Sequence, residues 1–461
     1  MTSWARPCIA FWGAFCATVG VNALSTATGI IALHFNVQPS LLSSLTSLYL
    51  IAEVAALPLV PLFIEKFGLT GLLRFALCGF FLSSVSCFFS PALEHLLFSR
   101  CIQGIFGGLL TTTPFIAMKS DLSKRHQPIA IGMAVVVGSF APIVGPLLTA
   151  QLNEKNVLAI FAIMAIIPLL CLPFLTSGNK IKESNTTVIF KRNVLSLITF
   201  SLGLIAFVWS AEQIKSGATI HTNAALLFSV AVILLSAAHQ YQSSNPLLPI
   251  KTLLKTRYTG LLVMSASMGV IIFGFLYLVP YFLIKAYNMN VDTLFTITFY
   301  ATIPQILWVP VVLFLRKHIS PYVLILLGCA FTIISITLLS TDAALSNNAE
   351  DWIPSQLARG MAIPLISLSL GLLLIRLPSK EDAPALASAF GLCRTIGGVI
   401  GVSGLTLYID NRQSYYASTT TAEESWLLAM QDTASLVNAG VLIMGGYAFH
   451  LLIKKRKAAT A

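Results

Sequence analysis

Charge is what this chain has least of: Asp, Glu, Lys and Arg together make up 10% of its 461 residues. A soluble domain clothes itself in about a quarter charged residues, so a water-facing globular surface is excluded for most of the chain. Acids are the rarer sign, 17 against 28 basic residues, and one of them alone, Glu53, stands deep inside an apolar stretch. None of the seven histidines lies near the middle of such a stretch, which removes imidazole as a proton carrier at that depth. No G-x-x-x-x-G-K-[ST] phosphate loop occurs, so an ATP-driven pump would need its ATPase from another chain. H-E-x-x-H and G-x-S-x-G are absent too, and no long loop could assemble a catalytic set. The eight cysteines (Cys8, Cys16, Cys78, Cys87, Cys101, Cys171, Cys329 and Cys393) lack the paired spacing of a metal site or a disulfide framework and read as small apolar residues.

What is abundant is apolar: 56% of residues are hydrophobic and the mean hydropathy is +0.85. Fourteen stretches reach the ~20 residues that an α-helix needs to cross a bilayer, at 8–32, 41–64, 71–90, 94–118, 127–152, 155–176, 194–212, 222–241, 258–284, 293–315, 320–341, 352–376, 383–408 and 432–453. Basic residues gather on one side of this plan, from Arg6, Lys66, Arg74, Lys124 and Arg125 to the tail Lys454, Lys455, Arg456 and Lys457, while acids such as Glu94, Glu154, Asp351 and Asp410 gather on the other. Lys and Arg accumulate in cytoplasmic loops, so both termini are predicted cytoplasmic. The net charge of +11 then belongs to topology and to anionic lipids of the inner leaflet, not to nucleic acid. The first segment starts after Arg6 without a small-residue cleavage site and is expected to be retained.

Two stretches between segments are longer than the rest. Residues 177–193 are polar and basic, with Lys180, Lys182 and Glu183, and read as a cytoplasmic linker. Residues 411–431, with Tyr415, Tyr416 and Trp426, read as an outer loop anchored at the interface. A faint repeat lays Ala141-Pro142-Ile143-Val144-Gly145 over Gly397-Gly398-Val399-Ile400-Gly401, and segments 4 and 12 each carry an arginine near a glycine, Arg100 with Gly104 and Arg359 with Gly360. Two related halves around a central site would give such a repeat. Residues 1–176 would form a six-helix half, 177–257 the linker and an inserted helix pair, and 258–461 a second six-helix half with a basic tail.

Local motifs carry a resemblance. Arg100-Cys101-Ile102-Gln103-Gly104, followed by Gly107 and Gly108, resembles the R-x-x-Q-G motif of the major facilitator superfamily. Gly138-Ser139-Phe140-Ala141-Pro142-Ile143-Val144-Gly145-Pro146 resembles the antiporter motif of its exporters, and Thr46 to Glu53 with Pro58 is similar to the fourteen-helix drug:proton antiporters, the EmrB/QacA-like group. The resemblance implies an all-α polytopic membrane protein with the major facilitator fold, two six-helix halves plus an inserted pair. It implies a proton-coupled carrier in a cytoplasmic (inner) membrane, no cofactor, no enzyme activity, and, in bacteria with two membranes, a periplasmic adaptor and an outer-membrane channel as partners. Three departures stand out. The loop after segment 2 keeps Glu65, Lys66 and Gly68 but loses the family's basic pair; Ala141 and Pro146 replace glycines; and the first helix has no acid near Asn22.

Glu53 is the first candidate for a coupling proton site, because a carboxyl group at bilayer depth is costly and is kept for function. Arg100 is its candidate counter-ion; a static pair, or direct binding of a cationic solute by Glu53, is the alternative. Gly138, Pro142, Gly145 and Pro146 could gate a cavity by flexing, or only pack a kinked helix. Asn22, Tyr49, Gln305, Trp308 and Arg394 are candidate cavity residues, or hydrogen-bond between helices. The expected function is export of small, lipophilic molecules against inward proton flow. A dedicated metabolite or siderophore carrier, working as an importer, is the alternative within transport; a membrane enzyme or receptor is the alternative outside it.

Overall fold

A peptide group facing hydrocarbon has no water to bond to, so a spanning segment must close its hydrogen bonds within itself. The computed structural model describes residues 4–37, 43–149, 152, 156–175, 198–207, 209–210, 220–243, 250–287, 291–340, 349–379 and 381–460, and these are helices joined by short turns, with no strand among them. In chain order the helices are α1 (Ala5–Phe35), α2 (Ser43–Ala56), α3 (Val60–Phe88), α4 (Leu93–Thr111), α5 (Thr113–Asp121), α6 (Gln127–Thr149), α7 (Ala159–Cys171) and α8 (Ile198–Phe207). They continue with α9 (Ile220–Gln242), α10 (Ile250–Leu253), α11 (Thr256–Gly269), α12 (Phe275–Tyr287), α13 (Val291–Leu315), α14 (Pro321–Leu339), α15 (Ile353–Arg376), α16 (Ala383–Tyr416) and α17 (Ala422–Thr460).

Eight stretches among the described residues are helical, long and apolar enough to cross a membrane, and four shorter apolar helices accompany them. Each of the fourteen segments read from the sequence contains helix. The connections differ from expectation. Between segments 2 and 3 there is no extended loop: α3, entered from α2 through a 3-10 turn at Leu57–Leu59 within segment 2, runs across the boundary and is broken only at Gly68 (φ 67°, ψ 168°). That backbone conformation is open to glycine and strained for other residues, so one Gly does the work of a loop. The expected outer loop at 411–431 is mostly helix as well, with a turn at 417–421 between α16 and α17. Arg412 Nε donates to Asp432 Oδ2 at 2.5 Å, and the Tyr416 hydroxyl donates to the same oxygen at 2.8 Å, so side chains of both helices close the corner. The linker at 177–193 lies outside the described residues.

The chain divides into two packing units. One comprises residues 1–130, 140–255 and 378–392, the other 131–139, 256–377 and 393–461. In the first, α4 packs against α1, α2 and α3, around an apolar cluster that includes Tyr49, Leu72, Leu77, Phe80 and Leu110. Arg6 clamps the start of α1 to Asp121 at the end of α5 with two bonds, Nε to Oδ2 at 2.7 Å and Nη2 to Oδ1 at 2.5 Å. In the same unit α8 and α9 pack together, with Thr199 and Ser236 hydroxyls 3.0 Å apart, and only 17% of the spanning window of α9 is covered by protein. In the second unit α15 packs between α13 and α14 and is the most deeply buried of the eight membrane-length helical stretches.

Candidate functional site

Glycines decide how close α2 and α4 come. A Cβ on Gly104 would stand 2.3 Å from the Tyr49 carbonyl oxygen, and one on Gly108 would stand 2.4 Å from that of Glu53. Gly104 and Gly108 form one small-residue stripe, at i and i+4, and Ala52 and Ala56 of α2 face it. Gly107 completes the fit, because its hydrogen leaves space for the Tyr49 hydroxyl. That hydroxyl donates to the Ala17 carbonyl of α1 at 3.1 Å, so Tyr49 ties three helices together.

Arg100 is completely buried, beside this contact. Its Nε donates to the Leu45 carbonyl at 3.4 Å, Nη2 to the Gly20 carbonyl at 3.2 Å and Nη1 to the side-chain oxygen of Gln103. Gln103 Nε2 in turn donates to the Ser84 hydroxyl at 2.6 Å, and Ser84 donates to the Phe80 carbonyl at 2.7 Å. The guanidinium also lies over the Tyr49 ring, 4.3 Å from its centre. A rigid fork with several donors suits this task, since one side chain reaches α1 and α2 while standing on α4.

Glu53 follows Tyr49 by one helical turn and is 6% exposed. The Thr111 hydroxyl lies 3.3 Å from its Oε1 and also reaches the Gly107 carbonyl at 2.9 Å. Among the described residues the hydrogen bonds of Arg100 go to carbonyls and to Gln103, none to Glu53. The arrangement offers a shielded carboxyl group, one hydroxyl that can donate to it, and a fixed cation nearby on the neighbouring helix. Nothing in it resembles a nucleophile poised beside a base.

Residues 10–402 match the sequence profile described as the Major Facilitator Superfamily. The chain belongs to that superfamily. It is 21% identical over 418 residues to the "Colistin resistance protein EmrB" of Acinetobacter baumannii, covering 89% of this chain and 80% of that one. It is 25% identical over 457 residues to the "Uncharacterized MFS-type transporter YcnB" of Bacillus subtilis, covering 96% and 93%. In structure it resembles the proton:xylose symporter XylE, with a TM-score of 0.66 and 15% identity over 95% of this chain and 94% of XylE, which is a likeness of fold. This facilitator-superfamily protein is therefore a multi-pass membrane transporter and not an enzyme, and relatives named for drug efflux agree with the EmrB-like motifs.

Of the residues singled out from sequence, Glu53, Arg100, Tyr49, Gln103 and Gly104 come together on α2 and α4 of one unit. Glu65 and Lys66 are exposed at the turn before Gly68, with the Lys66 ammonium 5.1 Å from the Phe67 ring centre. Gly138 is exposed and has no atom within 4 Å of where a Cβ would stand. The backbone of α6 is helical through Pro142, Gly145 and Pro146, whose side chains, like that of Asn22, lie outside the described residues. Gln305, Trp308 and Arg394 are half-buried and belong to the other unit. Trp308 rests against Phe331 with ring centres 6.4 Å apart. Arg394 sits where α16 presses on α11, its carbonyl oxygen 2.0 Å from where a Cβ on Gly269 would be. The glycines that echo the antiporter motif serve the same crossing: a Cβ on Gly397 would stand 2.1 Å from the Ala266 carbonyl and one on Gly401 2.8 Å from Val270 Cα. Next to them the backbone loosens into a π-helical turn at Val270–Gly274.

Sequence reading passed over Gln356. It is fully buried on α15 three residues before Arg359, and neither of its amide atoms has a hydrogen-bond partner among the described residues. The signal was a repeat register: one offset carries Ala141 to Gly397 and Gly145 to Gly401, and the same offset carries Arg100 to Gln356, Gln103 to Arg359 and Gly104 to Gly360.

Proposed function

We propose that this protein is a proton-coupled antiporter exporting small, lipophilic molecules across the cytoplasmic membrane, with fourteen spans and both termini in the cytoplasm. The observation that carries the proposal is Glu53, a carboxyl group 6% exposed among bilayer-length apolar helices, with a hydroxyl donor 3.3 Å away. Such a group takes up a proton in one surrounding and yields it in another, and that is what coupling to a proton gradient requires. Arg100, fixed by backbone carbonyls, supplies the positive field against which Glu53 gains and loses charge. Export is supported by the EmrB-type motifs and by the name of the Acinetobacter relative, a colistin resistance protein; a periplasmic adaptor and an outer-membrane channel are proposed as partners on the resemblance to the EmrB/QacA-like group alone.

A second reading, a dedicated metabolite or siderophore carrier working inward, is favoured by the missing basic pair beyond Gly68 and the absence of an acid near Asn22. Proteoliposomes with a pH-sensitive dye inside separate the two. Lipophilic cations and anions are added in turn, and at least one of them should evoke proton movement through the wild type and none through Glu53→Gln. Equal movement through Glu53→Gln would remove Glu53 from coupling, and movement evoked by siderophores alone would establish the second reading.

A further inference from the structure

The two units use the same helix position in opposite ways. Gly104 on α4 and Gly360 on α15 are equivalent in the repeat, and each brings its helix against a backbone carbonyl: a Cβ on Gly104 would stand 2.3 Å from Tyr49 O, one on Gly360 2.2 Å from Ala301 O. One turn earlier each helix carries an arginine and a glutamine, in swapped order. On α4 the pair is saturated, since Arg100 and Gln103 bond to Leu45, Gly20, each other and Ser84. On α15 it is not. Among the described residues Gln356 Nε2 and Oε1 and Arg359 Nε are enclosed without a hydrogen-bond partner, as is Trp352 Nε1 one turn before Gln356. Gln356 and Trp352 are 0% and 2% exposed and Arg359 is 8% exposed. The one described contact of the guanidinium is the Phe275 ring, 6.0 Å away. No ion pair to Arg359 is present among the described residues.

A buried guanidinium without an anion, and a buried amide with neither atom bonded, each carry a desolvation cost that a native fold rarely leaves unanswered. Trp352, the residue that caps the start of α15, and Gln356 and Arg359 within it follow one another at spacings of four and three, on one side of the helix. That face presents N–H donors from Trp352, Gln356 and Arg359 and a single acceptor, Gln356 Oε1. It also lies in the first two turns of α15, where the helix dipole favours negative charge. Donors in excess, one cation and one acceptor match a small organic acid with a neighbouring hydroxyl. Trp352 is flanked by Phe282 and Tyr287, ring centres 6.2 Å and 5.7 Å away, which suits an aromatic body.

We propose that Trp352, Gln356 and Arg359 form a binding site for an organic anion, an aromatic hydroxy-acid in its best-fitting form, whose carboxylate accepts from Arg359 and Gln356 and whose hydroxyl donates to Gln356 Oε1. The inference deepens the transport reading and rests on it only in taking the ligand for a transported solute. Its test needs no proton gradient and so stands apart from that of Glu53.

The experiment uses the full chain in nanodiscs of zwitterionic lipid, with salicylate, benzoate and benzylammonium as probes, and reads thermal unfolding together with binding of radiolabelled salicylate. In the wild type salicylate should raise Tm more than benzoate, and benzylammonium should not raise it. Arg359→Gln should unfold at a higher temperature than the wild type without ligand, because the unanswered charge is gone, and should bind salicylate about tenfold more weakly. Gln356→Leu, a neutral exchange that decides the matter should Arg359→Gln fail to fold, should lose the preference for salicylate over benzoate. Equal binding of salicylate by the wild type and both variants, equal protection by benzylammonium, or no protection by either acid would overturn the proposal.

Discussion

An arginine at bilayer depth is costly unless its donors are answered, and those of Arg100 are. Its donors reach two backbone carbonyls and Gln103 within a fully buried setting. A lysine is a point donor on a flexible stem and cannot span Leu45, Gly20 and Gln103 together. Arg100→Lys is therefore expected to cost about 2–4 kcal/mol, the loss of one or two charged hydrogen bonds at this depth, which a lowered Tm in detergent would register. Tyr49→Phe removes a single bond to the Ala17 carbonyl and leaves the ring under the guanidinium. The milder loss expected there is about 1 kcal/mol; a loss equal to that of Arg100→Lys would mean that the hydroxyl, not the guanidinium, holds α1, α2 and α4 together.

At the scale of the helix the deciding residues are the smallest. Gly104→Val and Gly108→Val place a side chain into the carbonyls of Tyr49 and Glu53, where the facing element is backbone and cannot rotate aside. Both should destabilise the fold by about 3 kcal/mol or more, overpacking against a rigid neighbour, with loss of monodisperse protein on size exclusion as the readout. Gly138 is the contrast within the antiporter motif. It meets nothing within 4 Å, so Gly138→Ala should leave stability unchanged or raise it by up to about 1 kcal/mol through helix propensity, read as an unchanged or higher Tm. Under the proposed gating role of α6 the same variant loses transport while keeping its stability, and retained transport would show that α6 needs no bare backbone there in any state. Gly68→Ala should cost about 1–2 kcal/mol, because φ of 67° is strained for alanine although its methyl group would have space.

For the molecule as a whole, the proposed orientation is open to a direct check. In a cysteine-free background, a cysteine at Ser123, exposed in the turn between α5 and α6, should react with a membrane-impermeant maleimide only after permeabilisation, and one at Ser418, exposed between α16 and α17, in intact cells. The reverse pattern would invert the topology drawn from the basic residues. Much of the architecture was legible in advance because the bilayer imposes it: a run of about 20 apolar residues has one low-energy backbone, the helix. The connections were less legible. The stretch around Glu65, Lys66 and Gly68 stands where the resembling family has a loop but is helix up to a single glycine, and residues 411–431, with Tyr415, Tyr416 and Trp426, read as an outer loop, whereas Arg412, Tyr416 and Asp432 pair in space. Of the candidate site, Glu53, Arg100, Tyr49, Gln103 and Gly104 could be named from their types and depth, since a polar group in an apolar run declares itself. Gln356 could not, because glutamine near a helix end is unremarkable until its neighbours are known.

The sequence alone determined that this chain lies in a membrane, that its spans are helices, and which few polar side chains must justify their place there, because the solvent sets a free-energy cost that each residue type carries wherever it stands. Tertiary structure decided which of those costs are met. Arg100 and Arg359 are the same residue at similar burial, yet one is satisfied by carbonyls of neighbouring helices and the other keeps a buried Nε without a hydrogen-bond partner among the described residues. Hydrogen bonding depends on distances of a few tenths of an ångström between residues far apart in the chain, and no local pattern encodes it.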